Sequence, residues 1–330
     1  MPSMSLTVAG AGVVGLWQAL TLARRGHRVR LVEQSAEPFA DAASRYGGAM
    51  LGPFCEAEAD APVIRDLGLE SIALWCAAFP GIVVRGTLVV AGARDRSELE
   101  RFARLTQGHA RVDAAGIAGL EPDLAGRFAS GLYYAQEAHL APGDAMGFLL
   151  QEARGAGVDV AFGTPWKGGG TETLIDCRGL GARTELPQLR GVRGERIIVR
   201  TREITLQRPV RLLHPRHPLY VVPWGDGLHM VGATVIESED AGPITVRSAL
   251  ELLGTAYALH PAFGEAEIVE AGAGVRPAFA DNVPKIVVRG GTIHVNGLYR
   301  HGFLLAPALA RLVADYLETG AVDERAFVMG

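Results

Sequence analysis

Cysteine and lysine are both scarce in this 330-residue chain, which has three cysteines and only two lysines, Lys167 and Lys285. Cys55, Cys76 and Cys177 are widely spaced, odd in number and form no CxxC pair. That excludes a disulfide framework and suits a reducing compartment. The expectation is three small buried side chains in a cytoplasmic protein. No apolar run reaches the ~18 residues of a membrane span. The first residues, Met1 to Leu6, lack the basic and long apolar regions of a secretory signal. The formal net charge is −4, so there is no basic footprint for nucleic acid. His139, His214 and His229 are scattered, with neither metal-ligand nor Ser-His-Asp spacing. At 48% apolar and 21% charged residues, the composition is that of a globular protein, long enough for about two domains.

The most informative segment opens the chain. Ser5 to Ala9 is a short β-rich run, followed by Gly10-Ala11-Gly12-Val13-Val14-Gly15. Leu16 to Arg25 reads as a helix with Leu16, Ala19, Leu20 and Ala23 on one face and Gly26 as its stop. His27 to Glu33 is a second strand with an acid at its end. G-x-G-x-x-G between strand and helix, with that acid, is the βαβ fingerprint of dinucleotide binding. Gly10 permits the tight turn, Gly12 lets a pyrophosphate approach the backbone, and Gly15 lets helix and strand pack closely. The free N–H groups and positive end of the helix then face the phosphates. Glu33 accepts hydrogen bonds from ribose hydroxyls and repels a 2′-phosphate. The fingerprint alone leaves FAD and NAD both open.

Residues 36–56 read as a loop, and Asp60 to Ala78 as a helix. Ile82 to Ala91 reads as strands turning at Arg85-Gly86. Pro142 to Gly155 is a helix, Gly194 to Val235 is all β, and Thr245 to Leu259 is helical. Thr292 to Asn296 is a strand, and Phe303 to Leu317 a long amphipathic helix. Strand and helix alternate at both ends around a β-rich centre. This predicts an interleaved α/β architecture in which both chain ends build one nucleotide-binding unit.

Four further segments carry a resemblance. They are RYGGAMLGPFCE (45–56), YVVPWGDGLHMVGATV (220–235), AGAGVRPAFADNVP (271–284) and GLYRHGFLLAPALA (297–310). In order and spacing the chain resembles the glycine oxidase and D-amino-acid oxidase family of FAD-dependent amine oxidases, nearest the glycine oxidase of thiamine biosynthesis. The resemblance implies a Rossmann-like FAD-binding domain (1–80, 139–190 and 271–330) interleaved with a β-rich, α+β substrate domain (81–138 and 191–270). It places Val13, Val14, Glu33 and Gln34 on the ADP half of FAD. Ser44, Arg45, Gly48, Ala49 and Met50 line the loop near pyrophosphate and flavin. Leu298, Tyr299, Arg300, His301, Gly302, Phe303 and Leu304 hold the flavin at the start of the last helix.

Arg276 matches the arginine that binds the substrate carboxylate, Tyr220 a tyrosine that positions it, and Arg300 a second arginine of the site. The implied reaction is hydride transfer from Cα of a small amino acid, glycine first, to flavin N5. The products are an imino acid and, with oxygen as acceptor, hydrogen peroxide, in thiamine thiazole synthesis. A homo-oligomer is compatible with this reading. The alternatives are a D-amino-acid or sarcosine dehydrogenase with another electron acceptor, and a non-catalytic dinucleotide sensor. Val235 stands where the glycine oxidase pattern has methionine, which predicts a stiffer pocket wall. The stretch from Val158 to Asp176 is compressed, with Pro165 and Trp166 expected beside the adenine, and residues 57–80 look trimmed.

Overall fold

The computed structural model describes residues 3–57, 62–168 and 173–329. Its opening elements form the βαβ unit expected from sequence: strand Ser5–Ala9, helix Val13–Arg24 and strand Arg28–Val32. The two strands run parallel, with Ser5 opposite Arg28 and Ala9 opposite Val32. Leu6, Val8 and Ala9 are all buried, as expected of a strand covered on both faces. Five more strands complete a seven-stranded sheet. Its spatial order is Phe327–Met329, Lys285–Arg289, Thr292–Asn296, Thr173–Asp176, Ser5–Ala9, Arg28–Val32 and Asp159–Ala161. The strand nearest the C-terminal helix thus sits mid-sheet, one strand removed from the first.

Helix Val13–Arg24 packs against helix Gly302–Thr319, which in turn meets helix Pro62–Ala78. Pro307 lies inside the last helix and has no N–H to give the carbonyl of Phe303, four residues earlier. The Trp75 indole N–H donates to that carbonyl instead, at 2.8 Å. Ser71 Oγ accepts from Ala308 N–H at 3.2 Å. The start of the last helix is therefore fastened to Pro62–Ala78 by hydrogen bonds as well as by apolar packing. Trp17 meets Trp75 edge to face at 4.9 Å and closes this layer.

The second sheet has eight strands, in the order Glu267–Ala278, Arg190–Arg200, Leu228–Gly232, Leu219–Gly225, Val210–Leu213, Thr87–Ala91, Ser130–Tyr134 and Ala110–Asp113. Helix Val246–Leu259 covers it, capped by Thr245, whose Oγ1 accepts from Ser248 N–H at 3.2 Å. Across one face the register sets Tyr220 opposite Gly232, Gly232 opposite Arg196, and Arg196 opposite Gly272. Gly194 stands opposite Gly274, and Val192 opposite Arg276. Side chains alternate faces along a strand, so Gly272, Gly274 and Arg276 share this face.

Three expectations need correction. The boundary at 271 cuts one continuous strand, Glu267–Ala278, which pairs with Arg190–Arg200 along its whole length. Ile82 to Ala91 holds one strand, Thr87–Ala91, and Val83 makes only an isolated bridge to His139. Of the cysteines, Cys55 is buried, Cys76 exposed and Cys177 intermediate. Within the stretches expected to be shortened, 57–80 and Val158 to Asp176, residues 58–61 and 169–172 lie outside the described residues. No helix among the described residues is long and apolar enough to cross a membrane.

Candidate active site

A cavity of about 630 Å³ lies where the two sheets meet. Gly10 and Gly12 stand at its nucleotide side, Tyr220 and Arg276 on the wall from the second sheet. At Gly10 the backbone has φ 96°, and an added Cβ would fall 2.6 Å from the Cys177 carbonyl oxygen. At Gly15 it would fall 1.8 Å from the carbonyl oxygen of Gly10. Only glycine permits this strand-to-helix turn. Val13 N–H donates to Ser44 Oγ at 3.2 Å, which pins the loop after the second strand over the helix start. Glu33 accepts from Ala11 N–H at 2.7 Å and from Ser35 N–H at 3.1 Å. Pro165 and Trp166 line the cavity together with Glu33 and Gln34.

The opposite wall is built on missing side chains. A Cβ at Gly272 or Gly274 would meet the Tyr46 ring at 2.5 or 2.9 Å. At Gly194 it would lie 1.9 Å from Arg276 Nη2. Gly272 and Gly274 of AGAGVR thus clear one face for an aromatic ring, and Gly194 on the neighbouring strand clears it for a guanidinium. Arg276 Nη1 donates to the carbonyl oxygens of Thr234 at 3.2 Å and Arg193 at 3.5 Å. Burial pushes the Tyr220 hydroxyl up against the pull of Arg276, so it is a neutral donor near pH 7. Gly48 faces Tyr220, and a Cβ there would lie 2.9 Å from the ring.

Arg300 lines the same cavity, but its Nε lies 2.5 Å from Glu56 Oε2. Burial alone would raise the Glu56 carboxyl; Arg300, then His301 and Arg211, hold it below the usual carboxylate range. It is ionised at neutral pH. Its short helix, Pro53–Glu56, is tied down from behind: Glu137 Oε1 accepts from Phe54 N–H at 3.0 Å and Cys55 N–H at 2.8 Å. Burial pushes Glu137 itself up to about 7.

Residues 5–316 match the family described as DAO, FAD dependent oxidoreductase. The chain belongs to this family. It is 51% identical over 98% of its length to the whole of a Rhizobium etli protein with the provisional name thiamine biosynthesis oxidoreductase ThiO. It is 27% identical to a glycine oxidase of Geobacillus kaustophilus, covering 95% of this chain and 92% of that one. The crystal structure of glycine oxidase from that organism superposes with a TM-score of 0.82 at 24% identity, covering 96% and 95% of the two chains. That likeness shows the shared fold.

The cavity fits the FAD that a DAO-family oxidoreductase uses. Its glycine floor admits a backbone-hugging pyrophosphate, and Glu33 matches an adenosine ribose. Two helices, Val13–Arg24 and Gly302–Thr319, begin at its wall, through Val13, Val14, Gly302 and Phe303. Gly10, Gly12, Glu33, Gln34, Ser44, Gly48, Leu298, Tyr299 and Arg300 also line it, as expected from sequence.

Six expected residues are not on the wall. Gly15 packs on Gly10. The Arg45 guanidinium lies over the Tyr46 ring. Ala49 gives its carbonyl to Leu140 N–H. Met50 packs with the Phe54 and Tyr134 cluster. His301 is fully buried, with Nδ1 3.8 Å from Glu56 Oε2. Leu304 packs over Gly68.

Val235 is 54% exposed and absent from the wall, so it cannot stiffen the pocket. Tyr46, Glu56 and Gly194 went unassigned from sequence. The first two lie within the RYGGAMLGPFCE segment, where a resemblance was visible but no partner was. Gly194 gains its meaning only from the strand pairing with Gly274.

Proposed function

We propose that this chain oxidises a small amino acid, glycine foremost, with FAD as its cofactor and oxygen as the electron acceptor, and that the imino acid serves thiazole assembly for thiamine. The observation that carries this reading is one cavity that joins the glycine fingerprint to Arg276 and Tyr220. The names of the relatives, thiamine biosynthesis oxidoreductase and glycine oxidase, support it. The dehydrogenase alternative is not favoured by them.

When bound, FAD supplies the two-electron oxidation of the substrate carbon. The chain's residues do the rest. Glu33 takes the ribose hydroxyls, and the N-terminus of Val13–Arg24 carries the pyrophosphate charge. The start of Gly302–Thr319, at the cavity wall through Gly302 and Phe303, would offer its positive end to an anionic part of the bound cofactor. Arg276 clamps the substrate carboxylate through parallel N–H donors, which a lysine cannot supply. Tyr220 donates from the side and fixes the direction of the Cα–H bond. The amine enters neutral, so no side-chain base is needed. The same reading assigns residues 1–80, 139–190 and the chain beyond Ala278 to the cofactor side, and 81–138 with 191–278 to the substrate side.

The test is an anaerobic flavin-bleaching screen of the purified yellow protein with glycine, sarcosine and both alanine enantiomers, followed by peroxide measurement in air. Glycine should bleach the flavin and air should restore it with peroxide. A flavoprotein bleached by none of these amines would overturn the proposal.

A further inference from the structure

The Arg276 guanidinium is held by two backbone carbonyls. Its Nη1 donates to Thr234 O at 3.2 Å and to Arg193 O at 3.5 Å, and among the described residues these are its only hydrogen bonds. Thr234 O is the nearer acceptor, so the direction of that carbonyl governs where the guanidinium points. Thr234 lies two residues past the end of strand Leu228–Gly232, beyond its last pairing with Leu219–Gly225, Gly232 opposite Tyr220. Glu195 takes over there. Thr234 N–H donates to Glu195 O at 3.1 Å. Glu195 N–H donates to Thr234 Oγ1 at 2.9 Å, and Thr234 Oγ1 donates to Glu195 Oε2 at 3.2 Å.

Glu195 is anchored in turn. Gly194 lies beneath the Arg276 guanidinium, and side chains alternate along a strand, so Arg193 and Glu195 project from the opposite face of Arg190–Arg200. Both are buried. Arg193 Nε and Nη2 donate to Glu195 Oε1 at 3.0 and 2.7 Å, and Thr245 N–H, at the cap of helix Val246–Leu259, reaches the same oxygen at 3.3 Å. Arg193 also donates to the carbonyls of Asp240 at 2.5 Å, Gly242 at 2.8 Å and Pro243 at 2.6 Å. Every N–H donor of this guanidinium is thus engaged. A buried network satisfied in this way is rigid. It also fixes the loop that brings Ala241 to the cavity wall.

We propose that Thr234 is a positioning residue for the substrate clamp: its hydroxyl, anchored on the buried Glu195–Arg193 pair behind the sheet, turns its carbonyl onto Arg276 and so aims the guanidinium at the substrate carboxylate. Thr234 reaches the substrate only through Arg276. The inference rests on the reading of this cavity as the amino-acid site, and deepens it by naming what aims the clamp.

The experiment uses the FAD-loaded protein, with acetate as a carboxylate probe that cannot be oxidised. Acetate is titrated against the flavin absorption spectrum, and the second-order rate constant of anaerobic bleaching is measured at subsaturating glycine. Thr234→Val keeps the branched shape and removes the hydroxyl. It should weaken acetate binding and lower the bleaching constant by about tenfold, the worth of a hydrogen bond in a charged network, with flavin content unchanged. Thr234→Ser keeps the hydroxyl and should stay within about twofold of wild type. A merely structural role would lower the thermal midpoint and leave the acetate constant in place.

Arg276→Met supplies an independent arm, because methionine has no donor for Thr234 O. In that background Thr234→Val should change the bleaching constant by less than about twofold, since residues that act as a unit are not additive. Thr234→Val binding acetate as tightly as wild type overturns the inference while glycine still bleaches the flavin. So does a full tenfold loss from Thr234→Val in the Arg276→Met protein. If acetate leaves the wild-type spectrum unchanged and no amine bleaches it, the amino-acid-site reading fails, and this inference falls with it.

Discussion

Adding one methyl group at Gly194 should disable substrate binding without touching a group that bears charge. The Cβ of Gly194→Ala would lie 1.9 Å from Nη2 and 2.0 Å from Cζ of Arg276. Unstrained heavy-atom contacts need about 3.5 Å, so the guanidinium must move by roughly 1.5 Å. The obstructing atoms are the far end of a flexible side chain, so the strand pair Arg190–Arg200 and Glu267–Ala278 can keep its register. A misplacement of about 1 Å at a positioning group costs on the order of 100-fold in rate, or roughly 2.7 kcal/mol. We therefore expect kcat/KM for glycine to fall about 100-fold, with acetate affinity falling in parallel and flavin content unchanged. The assay pairs anaerobic bleaching at subsaturating glycine with the flavin-to-protein absorbance ratio. A variant with full flavin and kcat/KM within about twofold of wild type would refute the placement of Arg276 as the carboxylate clamp. Loss of flavin together with activity would show instead that the backbone gave way.

Three other perturbations test separate parts of the molecule. Arg276→Lys should raise the glycine KM strongly and leave flavin binding intact, because a truncated buried charge contact is worth about 2–5 kcal/mol and lysine recovers only part; apparent KM and flavin content are the readouts. Gly15→Ala puts a Cβ 1.8 Å from the backbone oxygen of Gly10, where nothing flexible can yield, and should yield colourless protein, checked by flavin content after purification. Glu137, pushed up to about 7 by burial from an ordinary 4.5, binds its proton more tightly folded than unfolded. Its contribution to stability is therefore full below about pH 4.5 and lost as pH rises through 7, by roughly 3 kcal/mol. Urea midpoints from pH 4.5 to 8 should fall more steeply for wild type than for Glu137→Gln, and equal slopes would disprove the assignment.

The parts of the site that were legible in sequence are those with local causes. The G-x-G-x-x-G turn, its helix and Glu33 follow from sterics and hydrogen bonding within about 30 residues, and the structure reproduces them. The segment at 297–304 reads as a loop and helix start for the same reason. What was hidden depends on pairings between distant strands. Gly194 is one more glycine until the register sets it opposite Gly274 and beneath Arg276. Glu56 looks like the polar end of a loop until Arg300, far along the chain, arrives at 2.5 Å. Val235 read as pocket wall because its segment matched a pattern. The strand ends at Gly232, and the chain beyond it continues beside Arg190–Arg200, with Ile236 bridged to Arg193 and the Val235 side chain 54% exposed. His301 and Leu304 were placed by proximity along the chain, whereas helix geometry sends neighbours to different faces.

The substitution of Trp75 for the missing N–H of Pro307 has a consequence for how the protein is born. Helix Pro62–Ala78 carries a buried indole donor whose acceptor, the Phe303 carbonyl, is synthesised 228 residues later. The strand Thr292–Asn296 likewise fills a place between Thr173–Asp176 and Lys285–Arg289 near the middle of the seven-stranded sheet. A chain emerging from the ribosome can close its opening βαβ unit early, but both the sheet and the helix start that face the cofactor wait for residues 292–303. Until then the Trp75 donor and the nucleotide-side wall remain unfinished. Cofactor loading thus waits for residues 292–303 in this topology, and a nascent chain stalled before residue 292 should emerge without flavin.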